Sequence, residues 1–260
     1  MIRSATRHDA AAIASVATAY GFDEPDSGID PRYLELLLEH GRLAVAEVDG
    51  AVVGFGGSIE SCGAAMVTDL FVLEKHLGQG LGGGLLRHLI GDCEHRMTCS
   101  SKYPRAIPTY GRFGMVPRWR VRYLTGSVVH QPHDTTVTRV DLAHWRGPRR
   151  ELASYWALRG ADLLHLGDPA RPSGSAVVAD RSGQWMILRL DSDGAHDEAV
   201  ASVMSTLPKG EPLLTFVPEW SAASAFLDGQ HFDEIDHDVF CASAGVVIPS
   251  ATVVMHPGLA

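Results

Sequence analysis

A glycine-dense loop is the segment of this sequence with the clearest chemical meaning. The loop, LGQGLGGG at residues 77–84, follows a run of residues that favour a β-strand at 66–73 and precedes apolar residues at helical spacing. This order predicts a strand, a glycine loop and a helix. In such a segment, unpaired backbone N–H groups and the positive end of the helix dipole point toward an anion. The sequence therefore predicts an anion-binding loop.

The residues around the loop restrict the identity of the anion. A mononucleotide P-loop requires Lys followed by Ser or Thr after its second conserved glycine, and this segment has neither. Gly78, Gly80 and Gly83 match a dinucleotide GxGxxG pattern, but the preceding residues are typical of an antiparallel hairpin rather than of a βαβ unit. A glycine-rich surface turn without a ligand is the remaining alternative.

Two motifs in this half of the sequence together resemble the GNAT family of N-acetyltransferases. Residues 72–86, VLEKHLGQGLGGGLL, are similar to the family's acyl-CoA pyrophosphate loop, whose pattern is Gln/Arg-x-x-Gly-x-Gly/Ala. Leu77 departs from the first position of this pattern, whereas Gly80 and Gly82 match its two small positions. Residues 106–115, AIPTYGRFGM, resemble the family's A-x-x-L-Y-x-x-x-G-F helix. The resemblance covers roughly residues 1–125.

The resemblance implies acetyl-CoA, or another acyl-CoA, as a co-substrate and no metal. The backbone of the strand before the loop is implied to bond the pantetheine amides like an added strand. The implied cofactor-binding residues are Leu70, Phe71 and Val72 on that strand, and Leu77, Gly78, Gln79, Gly80, Leu81, Gly82 and Gly83 in the loop.

Acyl transfer from a thioester to an amine needs an acid for the leaving thiolate and a base for the amine. By resemblance, Tyr110 is the general acid; a packing role is its alternative. Asp69, on the strand that precedes the loop, and Glu60, at the end of the strand before it, are the candidate bases. Strand alternation predicts that Thr68 and Asp69 face opposite sides. Solvated strand-end acids, with water as the base, are the alternative for both.

The segment GFDEPDSGID at residues 21–30 lies where the family places its variable acceptor-binding segment. The acids Asp23, Glu24 and Asp26 favour a cationic acceptor, and Phe22 and Tyr33 would form an apolar wall beside them. A solvated acidic loop is the alternative. We therefore expect the acceptor to be a small amine, an amino acid or a similar amine-containing metabolite.

Composition restricts the remaining classes of function. The 260 residues have a formal net charge of −9, which disfavours nucleic-acid partners. Apolar runs shorter than 18 residues and the absence of a recognisable signal peptide predict a cytoplasmic protein without a membrane span. The four cysteines form no CxxC pair, so neither a metal site nor a redox motif is predicted. Monomer and homodimer both stay open.

The order of predicted elements indicates the fold class, an α/β mixed sheet of the acetyltransferase (GNAT) type. The first half is predicted as β-α-α-β-β-β-α-β-α-β, and the second half repeats this order in a shorter form. The chain is thus predicted to be a tandem, with a catalytic acyl-CoA-binding domain at 1–130 and a degenerate copy at 131–260. The second copy has two acids and one glycine at 191–196, where a loop for pyrophosphate is expected, and Leu227 in place of Tyr110. An unrelated second fold is the alternative.

The predicted function is an acyl-CoA-dependent N-acyltransferase that acts on a small amine. An acyl carrier protein as donor is an alternative, because it would use the same pantetheine groove. An aminoacyl-tRNA donor is also open, although the net charge disfavours it. Outside enzymes, the alternative is a module that senses acyl-CoA without turnover.

Overall fold

The computed structural model describes residues 1–21, 29–147 and 150–257. Their contacts divide the chain into two units, the first formed by Met1–Arg118 and Phe240–Val247, the second by Trp119–Val239 and a segment that begins at Ile248. The division falls inside the strand Val116–Ser127, before the boundary that the sequence suggested at residue 130. The reason is that residues 121–127 already pair with the second-unit strand Pro212–Pro218.

The first unit has the order of elements that the sequence predicted. Its sheet runs β1–β2–β3–β4–β5, antiparallel except for the parallel pair of β4 and β5. The elements are β1 (Ile2–Ser4), α1 (Ala10–Thr18), α2 (Pro31–His40), β2 (Gly41–Val48), β3 (Ala51–Ser61), β4 (Ala64–Val72), α3 (Leu81–Ile90), β5 (Arg96–Ser100), α4 (Ala106–Gly111) and the beginning of β6 (Val116–Ser127).

Local chemistry explains two of these elements. Asp49 and Gly50 both have positive φ, 50° and 77°, as a two-residue type I′ hairpin requires, and the Asp-Gly dipeptide favours this turn between β2 and β3. Helix α2 begins at Pro31, because the Asp30 carboxylate accepts a hydrogen bond from the Arg32 N–H and proline suits the first helical position.

A β-bulge in β4 shapes the centre of the first unit. Gly57 of β3 is opposite Asp69 and Ser58 is opposite Val67, so Thr68 is the extra residue. Gly57 has no room for a side chain: an added Cβ would lie 2.6 Å from the Leu37 Cδ1 and 2.7 Å from the Thr68 Oγ1. The glycine therefore allows α2 and the bulge to approach β3 closely.

In its described residues, the second unit repeats the order of the first with one α-helix fewer between its first two strands. Its sheet runs β12–β6–β11–β10–β9–β8–β7, with β13 paired to β10. Its further elements are β7 (Val137–Val140), α5 (Arg150–Leu158), β8 (Asp162–Asp168), β9 (Arg171–Arg181), β10 (Gln184–Ser192), α6 (His196–Met204), β11 (Pro212–Pro218), α7 (Ala222–Gly229), β12 (Asp233–Ala242) and β13 (Thr252–Met255). Sequence reasoning missed β8, since DLLHLGD has no clear two-residue alternation.

Matching local details identify the second unit as a structural copy of the first. In both, the fourth strand pairs in parallel with the fifth over three residues, at 65–67 with 96–98 and at 185–187 with 213–215. A bulged residue follows in both, Thr68 in β4 and Leu188 in β10. In both, a threonine of the fifth strand donates to the last paired carbonyl, Thr98 to Val67 at 2.9 Å and Thr215 to Ile187 at 3.4 Å. The tandem fold that the sequence predicted is confirmed.

Replacement of Gly57 by valine should destabilise the protein by about 1–3 kcal/mol, because the new side chain would overlap Leu37, Thr68 and Asp69. The measurement is the midpoint of thermal or urea unfolding, followed by circular dichroism. Gly229→Ala in α7 is the control, since an added Cβ there meets no atom within 4 Å and alanine favours the helix. A Gly57→Val protein as stable as wild type would contradict this account of the bulge.

Candidate active site

The exposed edge of β4 is the main feature of the candidate site. In the described residues, β4 pairs with β5 only as far as Val67 and Thr98, whereas it pairs with β3 as far as Val72. The Leu73 N–H donates to the Val53 carbonyl at 2.8 Å, so the backbone groups of alternate residues point toward β3. The backbone groups of Leu70 and Val72 therefore point away from β3, toward the side that β5 has left.

This geometry separates the three strand residues that the sequence proposed for cofactor binding. Leu70 and Val72 present backbone groups at the open edge, whereas those of Phe71 point to β3. The Phe71 ring instead packs at 5.3 Å from Phe55 and 5.2 Å from Tyr20, measured between ring centroids. The Tyr20 hydroxyl donates to the Val72 carbonyl, which shows that the open edge accepts a hydrogen bond from outside the sheet.

The glycine loop connects this edge to α3. Gly78 and Gly80 have φ of 80° and 79°, a conformation that glycine adopts without strain. Gly80 is the N-cap of α3 and offers no side-chain acceptor, so the first N–H groups of the helix have no side-chain cap. An added Cβ at Gly78, Gly80, Gly82 or Gly83 would meet no atom within 4 Å, so the space beside the loop is open.

The arrangement fits the pyrophosphate of an acyl-CoA, the co-substrate that the sequence implied. Unpaired N–H donors, the positive end of a ten-residue helix and open space around the glycines all suit a multiply charged anion. The side chains of Leu77, Gln79 and Leu81 lie at the partly or fully exposed surface of this segment. The missing first-position Gln or Arg therefore removes one side chain from a loop whose donors are backbone groups.

Asp69 is at the centre of a compact polar cluster. Its Oδ2 accepts hydrogen bonds from the Tyr33 hydroxyl and from the Thr68 Oγ1, the latter at 2.7 Å. The prediction that Thr68 and Asp69 face opposite sides was wrong, because the bulge at Thr68 interrupts the alternation of the strand. The bulge thus gives the carboxylate a donor from the neighbouring residue of its own strand.

The surroundings of Asp69 change its acidity. Burial raises the pKa of the Asp69 carboxyl above its ordinary value, while the hydrogen bonds from Tyr33 and Thr68 oppose this rise. A carboxylate with a raised pKa is a stronger base than an ordinary aspartate once it has lost its proton. The Asp69 carboxylate can therefore accept a proton, and the hydrogen bonds from Tyr33 and Thr68 limit the rise of its pKa.

The structure places the other candidate proton carriers in different surroundings. Glu60 is exposed and lies opposite Ala65, near the hairpin turn of β3 and β4 and away from Asp69 along the strand. Tyr110 lies in α4 and is only 7% exposed, so bulk water has little access to it.

The predicted acceptor segment falls only partly within the structure. Phe22, Asp23, Glu24 and Asp26 lie outside the described residues. Tyr33 is described, and it binds the Asp69 carboxylate instead of forming only an apolar wall. Sequence reasoning missed the role of Gly57 and the hydrogen bonds of Thr68 and Tyr20, because these contacts depend on a bulge and on strands distant in the sequence.

The corresponding edge of the second unit is occupied and chemically altered. Arg189 follows the bulge of β10 as Asp69 follows that of β4, so a cation stands where the first unit has its carboxylate. Arg189 forms an ion pair with Asp191 at 2.6 Å. Strand β13 pairs with β10 at residues 189–191 and thereby fills the edge that β4 leaves open. The part of the second copy that the structure describes therefore has neither the open edge nor the candidate base.

Comparisons with known proteins agree with this geometry. Residues 10–115 match the model of the acetyltransferase (GNAT) family. A search of curated protein sequences gave no match to the chain. A structure from Pyrococcus horikoshii, of a protein assigned as an acetyltransferase, has a TM-score of 0.76 at 16% identity and covers 100% of this chain and 95% of its own.

Two further solved structures have the same fold. A GCN5-related N-acetyltransferase from Sphaerobacter thermophilus has a TM-score of 0.58 at 15% identity, with 95% of this chain and 97% of that one covered. A tandem GNAT protein from the clavulanic acid biosynthesis pathway has a TM-score of 0.61 at 13% identity, with 95% and 99% covered. At these identities the likeness concerns the fold.

The open strand edge and the glycine loop define an acyltransferase type of α/β domain in the first unit. The match of residues 10–115 to the GNAT family model supports an enzyme that transfers acyl groups, and the chain as a whole has the tandem form of that fold. None of the helices in the described ranges is long and apolar enough to cross a membrane.

Substitution of Tyr33 by phenylalanine should raise the pKa of Asp69 further, because it removes a hydrogen bond that stabilises the ionised carboxylate. The measurement is an NMR titration of the aspartate side-chain carboxyl carbons, with the Asp69 signal assigned through Asp69→Asn. Thr68→Val should shift the pKa in the same direction. An unchanged or lower pKa in Tyr33→Phe would show that Tyr33 does not stabilise the ionised form.

Proposed function

We propose that this protein is an acyl-CoA-dependent N-acyltransferase that transfers an acetyl group directly to a small amine. The observation that supports this most strongly is the divergence of β4 from β5 after Val67, beside an uncapped glycine loop. The pantetheine arm would add to β4 at Leu70 and Val72, and the loop donors would hold the pyrophosphate. We assign the binding of acyl-CoA to the first unit alone.

The proposed chemistry uses one base and one acid. Asp69 accepts a proton from the ammonium form of the acceptor, and the neutral nitrogen attacks the thioester carbonyl carbon. The carbon–sulfur bond then breaks, and Tyr110 gives its hydroxyl proton to the departing thiolate. The proton that the attacking nitrogen loses as the amide forms restores the Tyr110 hydroxyl. Because Asp69 acts in its ionised form, kcat/KM should fall as the pH falls through the raised pKa of its carboxyl.

The acceptor is proposed to be a small amine-containing metabolite. Asp69 and its donor Tyr33 form the described part of the acceptor side, and the acids Asp23, Glu24 and Asp26 of the adjoining segment favour a cation. We also propose that the protein is cytoplasmic and that it is a monomer or a homodimer.

The direct test is an assay of thiol release by the purified full-length chain, with acetyl-CoA and a panel of small amines. The expected result is acetyl-CoA consumption that depends on an amine and produces the matching amide, identified by mass spectrometry. Tight acetyl-CoA binding without turnover of any amine would favour a sensing module instead. Absence of acetyl-CoA binding would contradict the assignment of the open edge.

Gly82→Asp should weaken acetyl-CoA binding by about 1–4 kcal/mol, because it puts a carboxylate beside the pyrophosphate. Gly82→Asn is the matched control, since it adds a side chain of the same size without the charge, and an added Cβ at this position meets no atom within 4 Å. The measurement is isothermal titration calorimetry of folded proteins. Equal affinities for the aspartate and asparagine variants would show that no anion binds there.

Tyr110→Phe should lower kcat about tenfold to ten-thousandfold and leave acetyl-CoA affinity nearly unchanged, because it removes only the proposed proton donor. The measurement is steady-state kinetics at saturating acetyl-CoA, with calorimetry as the control for binding. Unfolding midpoints show whether the buried ring still packs normally. Turnover equal to that of wild type would assign Tyr110 a packing role.

A further inference from the structure

A polar row crosses three neighbouring strands of the second unit. His165 of β8 lies opposite Ser175 of β9, and Ser175 lies opposite Asp191 of β10. Residues that lie directly opposite one another on neighbouring strands share a face of the sheet, so the three side chains stand side by side. His165 is 3% exposed and Ser175 is 5% exposed, so two members of the row are buried.

The first unit has apolar packing at the corresponding positions. Counted from the bulge of the fourth strand, Ser175 corresponds to Phe55 and Asp191 to Phe71, while Val45 lies opposite Phe55 as His165 lies opposite Ser175. Val45 and Phe55 are fully buried, and the Phe55 and Phe71 rings stack. Polar groups in place of such a row lower stability unless hydrogen bonds compensate them.

A cavity of about 150 Å³ lies over the polar row. Its lining includes the row together with Arg146, Ser192 and Asp193. A cavity of this size can hold a benzene-sized molecule, that is, a ligand of roughly six to ten non-hydrogen atoms. In the first unit, the Tyr20 ring, just after α1, packs on Phe71 of the corresponding apolar row. Two α-helices lie between β1 and β2, whereas the described residues between β7 and β8 form one.

Two buried polar groups of the row have hydrogen-bonding capacity to spare. The His165 Nε2 accepts the Arg146 backbone N–H at 3.1 Å, so the proton of the neutral ring is on Nδ1. Within residues 1–21, 29–147 and 150–257, neither this Nδ1–H nor the Ser175 hydroxyl has a hydrogen-bond partner. Both groups can donate to a ligand in the cavity that their residues line.

The charges around the cavity determine which ligand suits it. Asp191 is neutralised by Arg189 at 2.6 Å and also accepts from the Thr252 hydroxyl at 3.4 Å. Arg146 lines the cavity, and its guanidinium donates to the Trp145 carbonyl at 3.4 Å but pairs with no carboxylate of the described residues, so it is available for an anionic ligand. A planar guanidinium binds carboxylates through two parallel hydrogen bonds. The exposed Asp193 disfavours a more highly charged phosphate.

We propose that the second unit binds a small carboxylate-bearing metabolite in this cavity. Its carboxylate would accept hydrogen bonds from the Arg146 guanidinium, the His165 Nδ1–H and the Ser175 hydroxyl. Asp193 would bind an ammonium group if the ligand has one, so an α-amino acid and the matching hydroxy acid are the two sources to compare. The site is separate in sequence from the glycine loop and is independent of the proposed acyl transfer.

The test is calorimetry or ligand-observed NMR on the full chain, with L-alanine, lactate, propionate and propylamine as probes. The carboxylates are expected to bind and the amine is not; alanine tighter than lactate would assign a role to Asp193. Arg146→Gln should weaken carboxylate binding about tenfold to hundredfold, and Ser175→Ala should weaken it less. Arg139→Gln, which removes an equal charge at an exposed position paired with Asp162, is the control and should bind normally.

Three outcomes would overturn the proposal. They are the absence of carboxylate binding at millimolar concentrations, equal binding by wild type and Arg146→Gln, and propylamine binding as tight as that of alanine. The Gly82→Asp variant separates the two sites, because it should lose acetyl-CoA affinity but retain carboxylate binding. Loss of carboxylate binding in Gly82→Asp would show that the carboxylates bind at the loop of the first unit instead.

Discussion

The short parallel pairing of β4 with β5 is the constraint on which the candidate site depends. Three residue pairs hold the strands together, and the Thr98 hydroxyl closes the pairing by donating to the Val67 carbonyl at 2.9 Å. Beyond this point, in the described residues, the backbone of β4 has a partner strand on the β3 side and none on the other, where the Val72 carbonyl accepts a hydrogen bond from the Tyr20 hydroxyl. An open strand edge in a folded protein is costly unless it is covered, so it indicates a site where a ligand adds as a strand.

The second unit has the same strand arrangement, but the corresponding edge of β10 is filled. It retains the three-residue pairing, the bulge and the threonine that donates to the last paired carbonyl. However, β13 pairs with β10 beyond that point, and Arg189 replaces the carboxylate. A strand of the chain thereby takes the place that we assign to pantetheine in the first unit. The two copies thus preserve the architecture and differ in the groups that could do chemistry.

The bulge links this architecture to acid–base chemistry. It allows Thr68 and Tyr33 to donate to one oxygen of Asp69, and Gly57 makes room for this cluster under α2. Burial and the two donors act on the pKa of Asp69 in opposite directions. A few contacts therefore determine both the position of the carboxylate and the pH range in which it is ionised.

Locally encoded features of the fold could be predicted from the sequence. The Asp49–Gly50 turn, the start of α2 at Pro31 and the glycine loop before α3 each depend on residues close together in the chain. The order of elements, and with it the tandem fold, followed from these local signals.

Features that depend on strand register could not be predicted in this way. The bulge at Thr68 reverses the expected direction of one side chain, and only the pairing with β3 reveals it. The correspondence of Arg189 with Asp69 and the return of β13 to β10 are also set by pairing between distant segments. The seven-residue strand β8 was missed because its polar residues obscure the alternation.

The central claim is that acetyl-CoA adds to the open edge of the first unit and that β13 prevents this in the second. Hydrogen–deuterium exchange resolved to single amides, with and without acetyl-CoA, tests it most directly. The account predicts that the amides of Leu70 and Val72 and those at the start of α3 become protected, while those at 189–191, already beside β13, do not change. Protection at 189–191 without protection at Leu70 and Val72 would contradict it.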